Sequence, residues 1–239
     1  SHPLPFLAAP SVVSEKLLSI EEKLRRERLR ERGLGITRFT LSAKCPSQPS
    51  SPPSVWVMVP LPSGVHLQKL SFIQNEQKRG EWTKQGEMQL AIASSPGKAV
   101  LDPTFSPDAE SVSFVREGQL WVHSIRQGTQ RQLTRCPANK PFLLYGLAEF
   151  VAQEEMGRAV GHWWSPCGKM IAFTEVDERP VPEMRIQHLS KPPSAQREGG
   201  EAHRYPFAGE RNCRVRLGVC HLDTGAVTYT DVRAGGETW

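Results

Sequence analysis

Two adjacent carboxylates, Glu154 and Glu155, lie in the run Gly146-Leu147-Ala148-Glu149-Phe150-Val151-Ala152-Gln153-Glu154-Glu155-Met156. A few residues later comes Gly161-His162-Trp163-Trp164-Ser165-Pro166. A pair of acids can accept charge-assisted hydrogen bonds from a cationic group. Taken bare, such a pair in a short helical insertion is more often a solvated face, because neighbouring helical positions diverge by about 100°. The second chemically equipped stretch is the basic run from Lys23 to Arg32, which carries Arg25, Arg26, Arg28 and Arg30. Its bare reading is an exposed basic helix with Glu/Lys pairs one turn apart. Five cysteines and seven histidines are present, without a Cys-x-x-Cys or a His-x-x-x-His among them. No structural zinc is expected from that spacing, and no cofactor.

The elements that must position these groups follow from pattern. Residues 1–13, rich in Pro and small apolar side chains, read as an extended arm. Residues 14–35 form an arginine-rich segment of strong helix formers, with its helix from Ser14 to Arg32 and Gly33 and Gly35 as the stop. Ser19-Ile20-Glu21-Glu22 fits a capping box for it. Cys45 to Pro53 is a Pro/Ser-rich loop, Val55 to Val59 a short strand closed by Pro60, and Gly80 to Gly86 a polar turn region. Phe105-Ser106-Pro107-Asp108 is a turn that feeds the alternating strand Ser111 to Val115. Glu117-Gly118 signals a hairpin back through Gln119 to Ile125, and Gln127-Gly128 turns again before Arg131 to Thr134.

The pattern restarts at Trp164-Ser165-Pro166, ahead of Met170-Ile171-Ala172-Phe173. An aromatic-Ser-Pro turn entering a strand, repeated after roughly sixty residues, predicts β-propeller blades with an insertion between them. That insertion carries the acidic doublet. A third strand set is expected at Arg214 to Leu222 and Val227 to Tyr229. The fold class is mainly β: residues 36–239 as an incomplete β-propeller, with an N-terminal basic helix and a short helical insertion.

Composition narrows the partners. At 239 residues, with 38% hydrophobic and 23% charged side chains, the chain is long enough for a substantial core and too apolar for disorder. The net charge of +5 is concentrated between Lys23 and Arg32, where acids interleave and no stacking aromatics accompany them. Nucleic acid is therefore not an expected partner. No run of about eighteen apolar residues occurs, so no membrane span is expected. Scattered, odd-numbered cysteines read as free thiols, which places the chain in the cytoplasm. Ser1 in place of an initiator Met reads as a cut from a longer chain.

Gly146 to Pro166, with the doublet fixed ahead of Trp163-Trp164-Ser165-Pro166, resembles the double-glutamate motif of the dipeptidyl peptidase IV family. Those proteins are serine exopeptidases of the prolyl oligopeptidase class. Ile171 to Asp177 and Arg204 to Asn212 resemble later segments of the same propeller, in the expected order. Glu21 to Arg30, followed by Gly35-Ile36, resembles the arginine-bearing helix of its cytosolic and bacterial members.

The resemblance implies that Glu154 and Glu155 hold the free N-terminal ammonium of a peptide. It also implies that Arg30, with Arg28 and Arg26 as alternatives, hydrogen-bonds a substrate backbone carbonyl. Such a site measures two residues from the N-terminus and orients the scissile bond, with no proton transfer by the glutamates. Trp163, Trp164 and His162 read as packing. The family's nucleophile occupies a Gly-x-Ser-x-Gly elbow on a C-terminal α/β-hydrolase domain, and no such motif occurs in these 239 residues. The expectation is the N-terminal, substrate-anchoring portion of a homodimeric serine peptidase that releases X-Pro and X-Ala dipeptides, inactive by itself. The alternative is a non-catalytic propeller remnant that binds peptide N-termini or a protein partner. Open sheet edges in half a propeller predict poor solubility.

Overall fold

The computed structural model describes residues 20–28, 30, 35–43, 52–74, 80–95, 97–139, 142–186 and 201–230. Helix α1 (Ile20–Arg28) leads into an antiparallel sheet ordered β1 (Thr40–Leu41), β2 (Ser54–Leu61), β3 (Gly64–Gln74), β4 (Gly80–Ala93). A second four-stranded meander follows: β5 (Leu101–Phe105), β6 (Ser111–Arg116), β7 (Gln119–Ser124) and β8 (Gln130–Gln132). Its central hairpin closes on Glu117 (φ +50°) and Gly118 (φ +66°), the left-handed pair that a primed two-residue turn demands.

The third sheet is built around β11 (Met170–Asp177). β9 (Leu143–Tyr145) and β10 (His162–Trp164) both pair with one edge of β11, and helix α2 (Phe150–Glu154) lies in the excursion between them. After β11 the chain makes the hairpin β12 (Glu183–Ile186) and β13 (Glu201–Arg204). It returns as β14 (Arg214–His221) and β15 (Val227–Thr230) on the other edge of β11.

The repeated aromatic-Ser-Pro turn has one physical cause in both sheets. Ser106 N–H donates to Ser111 O at 2.9 Å, and its Oγ accepts from Ser111 N–H at 2.9 Å. Ser165 does the same with Met170, at 2.9 and 3.0 Å. A serine that satisfies both backbone groups five residues on fixes where each strand starts.

Neighbouring sheets stack through shared apolar clusters. Met58, Val65, Leu67 and Ile92 of the first sheet pack with Val112 and Phe114 of the second. Val115 and Leu120 from its other face pack with Tyr145, Ile171, Phe173 and Cys220 of the third. Trp164 ties the two: its Nε1–H donates to Ser113 Oγ at 2.8 Å. Trp163 is exposed. Each sheet is open, so the chain is an incomplete propeller in which each four-stranded meander acts as a blade.

Several expectations need correction. Gly80 to Gly86 is strand rather than turn. Gly80 lies so close to the Phe72 ring that a Cβ there would strike it, and Trp82 meets that ring edge-on at 5.4 Å. The stretch looks polar because its side chains are largely exposed; at Gly86 (φ +73°) the strand bulges, and buried Gln68 inserts its amide toward the carbonyls of Gln85 and Gly86. Arg214 to Tyr229 is not a separate set, because β14 pairs with β11 along its whole length, from Met170↔His221 to Asp177↔Arg214. The helix also stops short of Arg32. Arg30 turns left-handed at φ +56°, and its N–H donates to Glu27 O at 3.0 Å. The extended arm, the Ser19 cap and most of the loop at 45–53 lie outside the described residues.

Among the described residues no helix is long and apolar enough to cross a membrane. Cys136, Cys167, Cys213 and Cys220 form no disulfide.

Candidate functional site

The excursion that carries the doublet is rooted at a single residue of β11. Between the stretches paired with β9 and β10 sits Thr174. Its carbonyl accepts from Gly146 N–H at 2.9 Å, and its own N–H donates to Gly161 O at 2.8 Å. Its Oγ1 reaches Leu147 O at 2.8 Å. Both ends of the excursion are thus clamped to one side chain and its backbone.

The two glycines at the root are required by space and conformation. Gly146 has φ +80°, and a Cβ there would press on Val115 and Leu120 at 3.1 and 3.2 Å. A Cβ on Gly161 would run into the Leu147 carbonyl. His162, 1% exposed, lies with Nδ1 3.0 Å from Gly146 O. Since a carbonyl only accepts, Nδ1 carries the proton, and burial lowers the ring's pKa, keeping it neutral.

Helix α2 is one and a half turns long, so packing rather than propensity holds it. Ala152 is fully buried beneath it. Arg158 closes the far side: its Nη2 pairs with Glu149 Oε2 at 2.8 Å, and its N–H donates to Ala152 O at 3.0 Å. Glu154 is the last helical residue and Glu155 the C-cap, at φ −110° and ψ −25°. Both are exposed.

Of the three candidate arginines, Arg28 is the one beside the doublet. Its Nε lies 3.7 Å from Glu154 Oε1, its Nη1 donates to Gln153 Oε1 at 3.0 Å, and its guanidinium sits 4.9 Å over the Phe150 ring. Burial lowers its pKa against the pull of Glu154, Glu178 and Glu27, and a guanidinium so placed remains a cation. Arg30 lines the same cavity and is exposed. Arg26 is buried, 3.9 Å from Glu22 Oε1.

The helix that carries Arg28 is docked by charge one turn back. Arg25 Nε donates to Glu22 Oε2 at 2.8 Å, while its Nη1 lies 3.9 Å from the carboxylate of Asp102 on β5.

These groups open on a cavity of about 1190 Å³ between α1, α2 and the β12–β13 hairpin. Glu178 reaches it from the end of β11, its pKa raised by burial against the attraction of Arg204 and Arg28. Tyr205 and Phe207, just after β13, add an aromatic wall. Of the doublet, Glu154 lines this cavity; a carboxylate, a forked donor and an apolar wall in one cavity can hold a group that is cationic at one end and amide-like beyond it.

Sequence reasoning missed Gln153, which braces Arg28 and donates from Nε2 to Ala148 O at 2.5 Å. It also missed Asp102, Glu178 and the aromatic wall. Gln153 was within reach as the neighbour of the doublet. Asp102 carries no sequence signal, since its partner lies more than seventy residues away.

A family model described as "Dipeptidyl peptidase IV (DPP IV) N-terminal region" matches residues 72–238. The probable dipeptidyl-aminopeptidase B of Grosmannia clavigera is 32% identical over 152 residues, covering 56% of this chain and 15% of that protein. The one of Emericella nidulans is 28% identical over 186 residues, covering 69% of this chain and 20% of its own length. The chain therefore spans a fifth or less of these curated relatives. The crystal structure of Porphyromonas gingivalis dipeptidyl peptidase 4 superposes with a TM-score of 0.58 at 20% identity, over 87% of this chain and 27% of that one. A putative dipeptidyl aminopeptidase IV from Bacteroides ovatus gives 0.51 at 16% identity, over 88% and 24%. At those identities the two structures speak for the fold alone.

Proposed function

The chain belongs to the dipeptidyl peptidase IV family, and from that premise we propose that it is the substrate-anchoring portion of a serine-type dipeptidyl peptidase that releases X-Pro and X-Ala dipeptides. The observation that carries the reading is Glu154 held 3.7 Å from Arg28 in a cavity of about 1190 Å³, with Glu155 the next residue and exposed. The α-ammonium of a peptide has three donors for those carboxylates. Arg28 has five N–H donors and two polar partners among the described residues, which leaves donors for the first peptide carbonyl. The ammonium and carbonyl are then fixed together, and the bond two residues in is held at a set distance from a nucleophile supplied by another part of the protein. The chain itself does not cleave.

The test uses the full-length protein that contains this chain. Glu154→Ala and Glu155→Ala are each expected to lower kcat/KM for Gly-Pro-p-nitroanilide about 10- to 100-fold, the loss of one charge-assisted hydrogen bond. Thermal unfolding should be unchanged. Wild-type kcat/KM in both variants would sink the reading.

A further inference from the structure

We propose that Gln153 is a positioning residue: its neutral amide aims the Arg28 guanidinium at the first peptide carbonyl while leaving the cation's charge to the substrate. The inference rests on the anchoring role of Arg28 and Glu154 given above and adds to it the group that sets their geometry. Phe150, Gln153 and Glu154 stand at positions i, i+3 and i+4 of α2, so they share one face. Each meets Arg28 on that face, although Arg28 lies 125 residues before Gln153 in the chain.

The contacts differ in what they fix. Gln153 Oε1 accepts from Arg28 Nη1 at 3.0 Å, a full hydrogen bond. Glu154 Oε1 stands 3.7 Å from Arg28 Nε, within reach of an ion pair and beyond a hydrogen bond. The Phe150 ring supports the flat side of the guanidinium at 4.9 Å and sets no direction within its plane. Gln153 therefore decides where the fork points. Glu154, held more loosely, can turn to an ammonium without releasing Arg28.

The position asks for an amide. A guanidinium only donates and a backbone carbonyl only accepts, so Oε1 faces Arg28 while Nε2 donates to Ala148 O at 2.5 Å. Ala148 is buried and follows Leu147, whose carbonyl takes the Thr174 hydroxyl. The Arg28 fork is thus tied through one side chain to the root of the excursion. An ionised carboxylate at 153 would have no donor for Ala148 O. It would also add a third negative charge to Glu154 and Glu155, and compete with the substrate for the guanidinium. A fork pinned in advance by a neutral group gives up less freedom when the peptide binds.

The experiment uses the full-length protein that contains this chain. It compares kcat/KM for Gly-Pro-p-nitroanilide with that for its thioamide, in which sulfur replaces the first carbonyl oxygen. The variants are Gln153→Met, Gln153→Glu and Arg28→Ala. Sulfur is the weaker acceptor, so wild type should prefer the oxygen substrate about tenfold, the loss of one charge-assisted hydrogen bond. That preference should fall to about threefold or less in both Gln153 variants and vanish in Arg28→Ala. A merely structural role would lower both substrates alike and leave the preference at its wild-type value. Gln153→Glu keeps the length and shape of the side chain, so it reports even if Gln153→Met fails to fold. A wild-type preference in the Gln153 variants, with the preference lost in Arg28→Ala, overturns the role of Gln153 and leaves the anchor standing. A wild-type preference in Arg28→Ala overturns the carbonyl arm of the anchor, and the role of Gln153 with it.

Discussion

The Asp102 carboxylate lies 3.9 Å from Arg25 Nη1, with the two side chains only 3% and 9% exposed. This pair docks the arginine helix on the second sheet and, one turn later, puts Arg28 against Glu154. Asp102 is held at φ +47°, a conformation Asp and Asn tolerate better than other side chains. Asp102→Asn therefore removes the charge while keeping the backbone. Breaking a buried pair costs about 3 kcal/mol or more when the remaining charge is uncompensated. Arg25 keeps Glu22, so a loss of about 2 kcal/mol by urea denaturation is expected, with KM for Gly-Pro-p-nitroanilide raised severalfold. A variant with weakened stability and unchanged KM would separate the docking pair from the site.

The root of the insertion makes a second, sterically defined prediction. Gly161→Ala places a methyl against the Leu147 carbonyl and Thr174 Oγ1. Overpacking of that kind costs about 1–3 kcal/mol, and relief requires the β10 end of the excursion to move. The doublet rides on that excursion, so both the melting temperature and peptide affinity should fall. Gly157→Ala, where a Cβ meets open space but φ is +62°, should lower stability through backbone strain alone. Comparing the two by melting and by titration with Gly-Pro-amide separates displacement from strain.

What the sequence made legible was whatever is written in local chemistry. The Ser106 and Ser165 turns were visible because each is closed by hydrogen bonds within five residues. The Glu117-Gly118 hairpin was visible because its φ values restrict the residue types. The doublet's place on a helical insertion was readable, and so was the packing role of Trp164. The rest depends on pairings distant in sequence. β4 looked like a loop because its side chains are largely exposed and polar between two glycines, and the residue that fills its bulge, Gln68, belongs to another strand. β14 looked independent because its pairing with β11 spans the whole β12–β13 hairpin. The reach of an arginine toward Glu154 depends on where α1 docks, and Asp102 sets that from a different sheet.

That docking bears on which arginine serves the substrate. The resemblance favoured Arg30, yet Arg28 lies against Glu154, Gln153 and Phe150. Arg28→Ala is expected to lower kcat/KM for Gly-Pro-p-nitroanilide by tenfold or more, since a charge-assisted bond contributes about 1.5–3 kcal/mol. Arg28→Lys should recover only part of that, because an ammonium cannot reproduce the fork that reaches Gln153 and Glu154 together. Arg30→Ala should stay within about threefold of wild type. The reverse ranking would return the role to Arg30.

Acid should loosen the same root. Burial lowers the His162 pKa below its ordinary 6.5, and Nε2 has no hydrogen-bond partner among the described residues. A proton there would be buried without an acceptor. The unfolded chain takes up that proton near the ordinary value and the folded chain resists it, so the stability present above pH 6.5 is lost as pH falls below it. The slope is at most about 1.4 kcal/mol per pH unit for one such group. His66 and His123 are lowered by burial in the same direction and will add to it. His162→Asn keeps a donor near the position of Nδ1, for the Gly146 carbonyl, and cannot titrate. Urea denaturation followed from about pH 7 down to about pH 5 should therefore show a shallower decline in His162→Asn than in wild type, whatever the offset in absolute stability. Parallel declines in the two proteins would assign the acid sensitivity to the other histidines and remove His162 from the account.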